Sequence, residues 1–189
     1  MLAPLARFAR PLLIAAALLL VAGVSLTLFH MLVLGWAIYA IGHVLTIVGF
    51  VAIAVVNRER MDYWAWLGLV VLEAGLISAV AQIVSIGSVY TAPTATGHML
   101  LPAEALPFGL AAELTTWVGL AFFGLAARGA GALPTGIGWV FAIAAVIGIL
   151  GDLRLVSPLV WVLAVLALGL GLLGVAVAMP RPAADKRSN

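Results

Sequence analysis

From Pro11 to Val56 the chain carries no Lys, Arg, Asp or Glu. Roughly 20 apolar residues take one helix across a bilayer, so a run of this length predicts two crossings joined by a turn. The faint break at Phe29, His30, Met31 and Gly35 is where that turn is expected. Further on, apolar stretches alternate with clearer punctuation. Asn57 to Asp62 is charged, Pro93, Pro102 and Pro107 interrupt the middle of the chain, and Gly129 to Gly138 is glycine-rich around Pro134. Pro158 then falls in the first turn of the last stretch, where a missing backbone N–H costs little.

The pattern predicts six spans, at about residues 11–30, 33–56, 64–89, 104–127, 135–152 and 157–179. They form a single transmembrane domain over 1–189, with a short polar cytoplasmic tail at 180–189. The expected fold class is all-α, an integral membrane bundle of six transmembrane helices. Arg7 and Arg10 ahead of an apolar stretch resemble the start of a secretory signal peptide. The apolar run continues through Phe29 with no polar start after it, so a first span is expected there instead.

Basic residues set the expected orientation. Six spans place Arg7, Arg10, Arg58, Arg60, Arg128, Arg181, Lys186 and Arg187 on one side and Arg154 alone on the other. The positive-inside bias then predicts that both termini are cytoplasmic. Trp64, Trp66 and Trp139 fall near the inner interface, and Trp36, Tyr90 and Trp161 near the outer one.

Composition narrows the class further. The chain is 66% hydrophobic and 8% charged, with a mean hydropathy of +1.28, whereas soluble domains are roughly 25% charged. The lipid bilayer is the expected partner, and the scattered basic residues are topology signals and not a nucleic-acid surface. The absence of cysteine excludes disulfides, thiolate metal ligands and thiol redox chemistry.

Candidate chemistry lies in the few polar groups placed within the spans. An ionisable side chain at mid-helix costs about 2.5–3.5 kcal/mol on insertion scales, so it needs a partner, a water cavity or a function. His43, Glu73 and Glu113 are such groups, and their distances from the span ends allow all three one common depth. In the second span Trp36, Tyr39, His43, Thr46 and Phe50 recur at intervals of three and four and line one stripe. Gln82 sits nine positions from Glu73, on the opposite face of the third span, which makes a single pathway through both difficult. At the outer ends, Asp152, Arg154 and His98 are candidates for a polar rim. Either role is open to the buried groups: a neutral imidazole both accepts and donates a proton, but a lone Glu or His can also be a structural hydrogen-bonding clasp.

Other chemistries find little support. The three histidines form no short-range metal-ligand pair with each other or with a carboxylate, so no metal or cofactor is expected. Haem would need a second histidine at membrane depth. No Gly-x-Ser-x-Gly occurs, and the one lysine, Lys186, lies in the tail, out of reach of a retinal Schiff base. No nucleophile or ligand set points to an enzyme. Gly42 and Gly49 in the second span, and Gly68 and Gly75 in the third, are each seven positions apart, which predicts close approach of those two helices.

The leading expectation is a small solute or ion transport component, with proton coupling as one form of it, in a bacterial cytoplasmic membrane. Its outward-facing polar cavity would be built on His43 and Glu113, with Glu73, Gln82, Tyr39 and Trp36 beside them. The alternative is a noncatalytic accessory or structural subunit of a larger membrane complex. A homo-oligomer or a partner membrane subunit is compatible with either.

Overall fold

The computed structural model describes residues 3–29, 32–89, 106–153, 155 and 158–179. They form six helices: α1 (Ala3–Leu28), α2 (Leu32–Val56), α3 (Tyr63–Val89), α4 (Leu106–Gly129), α5 (Thr135–Asp152) and α6 (Pro158–Ala178). All six are long and apolar enough to cross a membrane, which points to a multi-pass membrane protein. α1 begins earlier than the apolar pattern predicts and runs through Pro11. The residues before that proline are mostly Ala, Leu and Arg, strong helix formers that carry the helix across one missing hydrogen bond.

Each helix packs on its neighbours in sequence, and α6 closes back on α1. The result is an up-and-down ring of six antiparallel helices. Its interior is filled by buried side chains such as Leu13, Leu20, Ile53, Leu72, Leu120 and Leu172. Its outer girdle is apolar too, with Val70, Ile77, Ile143, Leu163, Leu170 and Val177 all exposed. An apolar exterior around an equally apolar interior is what contact with lipid requires.

Glycines set the register of the tightest seams. Gly42 and Gly49 of α2 lie against Leu20 and Leu13 of α1, and Gly23 of α1 lies against Tyr39. Gly68 and Gly75 of α3 lie against Phe123 and Thr116 of α4. The expectation that these two glycine pairs bring α2 and α3 together is therefore corrected. Each helix turns its small residues toward its hairpin partner, and α2 with α3 is the least extensive contact of the ring. A seven-residue repeat marks a seam but does not name the helix across it.

Two turns close one end of the bundle. Asp62 Oδ1 accepts the Ala65 N–H at 2.8 Å and caps the start of α3. In the α4–α5 turn, Gly131 takes a positive φ of 71°, and the Ala132 N–H returns to the Ala127 carbonyl at 2.8 Å. Arg58, Arg60 and Arg128 share this end, which is called the basic end below. The Arg128 guanidinium lies 4.8 Å from the Trp139 ring centroid.

Candidate functional site

Among the described residues His43, Thr46 and Thr116 are polar residues buried within the ring. The threonines are satisfied on their own helices, Thr46 Oγ1 donating to the Gly42 carbonyl at 2.8 Å and Thr116 Oγ1 to the Ala112 carbonyl at 2.9 Å. His43 Nδ1 lies 3.1 Å from the Tyr39 carbonyl. A carbonyl only accepts, so Nδ1 carries the hydrogen of this bond and a neutral ring keeps Nε2 as an acceptor. The Tyr39 ring packs edge-on against the imidazole, with centroids 4.3 Å apart. The i to i+4 spacing of a helix thus orients the histidine from within α2.

His43 lines a cavity between α2, α3, α4 and α6, at the end of the bundle opposite the basic end. Trp36, Tyr39 and His43 come from α2, Gln82 and Ile83 from α3, Glu113, Thr116 and Trp117 from α4, and Trp161 and Leu168 from α6. The space available to water is about 60 Å³. One water needs about 10–15 Å³ by this measure, so the cavity holds a handful of waters or a solute of similar size.

Register explains how an acidic pair forms on its wall. Along α4 and α5, Gly124 meets Phe141 and Gly148 meets the Trp117 indole. Carried one turn further, that antiparallel register sets Glu113 opposite Asp152, so the two carboxyl groups lie close together. Two ionised carboxylates side by side repel each other, and a proton or a cation between them relieves that repulsion. The Trp117 Nε1–H donates to Asp152 Oδ2 at 2.6 Å and anchors the α5 member. The carboxyl pair is therefore held by a ring that also walls the cavity.

Glu73 lies elsewhere. Along α3 and α4, Gly68 meets Phe123, Leu72 meets Gly119, Gly75 meets Thr116 and Gln82 meets Gly109. This register makes Glu113 level with Ser78, roughly 7 Å further along the bundle than Glu73, so the three ionisable groups do not share one depth. Glu73 also sits about 100° around α3 from the buried Leu72, on the flank away from α4. Both its carboxylate oxygens are buried, and they have no hydrogen-bond partner among the described residues.

Of the outer-rim candidates, Asp152 is drawn in beside Glu113 and Trp117, while His98 and Arg154 lie outside the described residues. Two walls of the cavity were not anticipated as site residues. Trp117 carries a signal in sequence, since it follows Glu113 by four residues and shares its helix face. Trp161 reads as an interface anchor and has no such signal.

Toward the basic end the cavity is closed by three phenylalanines. Phe50 of α2 meets Phe123 of α4 at 5.3 Å and Phe141 of α5 at 5.6 Å between ring centroids, both edge-on, and all three are 0% exposed. Beyond them a second, wider cavity of about 610 Å³ lies between the two turns of the basic end and the end of α6. Asn57, Arg58, Glu59 and Arg60 line it, with Val175 of α6 and Met179 just beyond that helix. An aromatic layer thus separates two cavities at opposite ends of one ring.

No protein-family model matches this chain. None of the curated proteins and none of the solved structures compared with it matches either.

Proposed function

We propose that this protein is a small transport component for a cation or proton, loaded at Glu113 and Asp152 from the non-cytoplasmic side of a bacterial cytoplasmic membrane. The observation that carries the reading is the close Glu113–Asp152 carboxyl pair, anchored by Trp117, beside a small cavity that His43 also lines. A carboxyl pair that holds one proton can exchange it for a cation without leaving two bare charges in a low-dielectric site. The cavity size excludes large solutes. The positive-inside bias turns the basic end toward the cytoplasm, so the cavity faces outward. The Phe50, Phe123 and Phe141 layer supports a carrier that opens to one side at a time over an open pore.

Purified protein in proteoliposomes tests this. The wild type is expected to carry cation or proton flux, and Glu113→Gln to abolish it with the helical fold and melting temperature retained. Equal flux in both would overturn the reading. A second reading, a noncatalytic accessory subunit, draws support from Glu73, whose buried carboxyl has no hydrogen-bond partner among the described residues and lies beside the loosest seam. It predicts no flux from the isolated chain and stable copurification with another membrane protein.

A further inference from the structure

The rings of Trp36, Tyr39, Trp117 and Trp161 line the cavity, and Glu113 is its one lining carboxyl among the described residues. Trp36 and Tyr39 meet at 76° with centroids 5.9 Å apart, and Tyr39 and Trp161 at 59° and 5.7 Å. Trp36, Tyr39 and Trp161 thus form one contiguous aromatic cluster, and all three line the cavity. Across from them stand Glu113, with Asp152 behind it, and the Trp117 indole whose N–H is already committed to Asp152.

A hard metal cation needs about six oxygen ligands. Here Glu113 is the one lining carboxyl among the described residues, and no three His, Asp or Glu side chains among them converge to hold a metal ion. Aromatic side chains together with a single negative centre suit a weakly hydrated cation whose charge is spread over alkyl groups. The room for about four to six water-sized units matches an amine of a few heavy atoms.

We infer that the cation taken by this site is a small alkylammonium ion, held between the aromatic wall of Trp36, Tyr39 and Trp161 and the Glu113–Asp152 pair. This rests on the transport reading above and specifies its substrate. The ammonium enters with its charge toward Glu113 in exchange for a carboxyl proton, which leaves to water on the side the cavity opens to, and its methyl groups rest against the rings. The apolar faces that attract it offer nothing to the hydration shell of sodium or potassium.

Radiolabelled tetramethylammonium, which is permanently charged, is the probe for binding to the detergent-purified protein. Saturable binding that is displaced by methylammonium, but not by sodium or potassium chloride at equal ionic strength, is expected. Trp161→Leu should weaken it about fivefold, the loss of one π face, and Trp161→Phe should restore most of the loss. Tetrabutylammonium, too large for the cavity, should not compete. Glu113-dependent flux of protons or inorganic cations with no tetramethylammonium binding would overturn this inference and leave the transport reading intact. Absence of both binding and flux in protein that retains its fold would overturn the two together. Binding that is unchanged in Trp161→Leu would remove the aromatic wall from the account.

Discussion

Gly148 of α5 lies flat against the Trp117 indole of α4, so closely that a methyl group at that position would overlap the ring. The glycine does not serve backbone freedom, since it is in mid-helix. It supplies the hollow that lets Trp117 reach Asp152 at 2.6 Å. Gly148→Ala must therefore move the indole or separate the helices. Overpacking of this kind costs about 1–3 kcal/mol, and loss of the bond to Asp152 adds to it. A lower melting temperature and a shift in tryptophan emission are expected, with loss of flux. A variant with the wild-type melting temperature and emission would show that the contact is looser than the geometry indicates.

The phenylalanine layer makes a separate prediction about leakage. The Phe123 ring packs on Phe50 of α2 while its backbone backs onto Gly68 of α3, and the fully buried ring fills part of the interior between α2 and α4. Phe123→Ala removes that plug and leaves a void between the two cavities. Phe-to-Ala changes in packed interiors cost about 3–5 kcal/mol, which a helix ring with many other contacts can survive. The expected phenotype is increased uncoupled ion leak in proteoliposomes, and Phe123→Leu should be much tighter than Phe123→Ala. A leak rate in Phe123→Ala equal to that of the wild type would show that the seal lies elsewhere.

Topology can be tested against a clean background, because the chain has no cysteine. Arg58 belongs to the α2–α3 turn and Arg128 to the last turn of α4, both at the basic end. Arg58→Cys and Arg128→Cys should react with a membrane-impermeant maleimide only after the inner side of the membrane is opened. Labelling of the two from opposite sides would contradict the six-span ring. Labelling of both from outside would invert it and turn the cavity to the cytoplasm.

These residues also show where reading the chain in one dimension stops. Apolar runs separated by charged or proline-rich breaks define six helices, because hydrophobic length is a local property that the bilayer thickness scales. The stripe through Trp36, Tyr39 and His43 is legible for the same reason, since one helix turn orders it. Glu113 and Asp152 are different. Their meeting depends on the register of α4 against α5, set by Gly124 and Gly148 fitting onto Phe141 and Trp117, and nothing local to either carboxyl announces it. The same holds for Gly42 and Gly75, whose partners lie on α1 and α4. A small residue advertises a close approach without saying to what.

Glu73 offers the sharpest separation of roles, because it resembles Glu113 in sequence and differs from it in surroundings. Its carboxylate oxygens are buried and have no hydrogen-bond partner among the described residues, on a flank of α3 between exposed Val70 and Ile77 and buried Leu69, Leu72 and Leu76. A buried polar group left without a hydrogen bond costs about 1–3 kcal/mol, and an apolar side chain of similar size removes that cost. Glu73→Leu should therefore raise stability by about that amount, seen as a higher melting temperature in detergent, and leave cation flux through the Glu113 site unchanged. If Glu73→Leu instead abolishes flux while the protein remains folded, the carboxyl belongs to the pathway, and the α2–α3 seam must open to reach it. If the variant keeps its fold and loses a copurifying membrane partner, the partner supplies the missing hydrogen bond and the accessory reading gains its contact site.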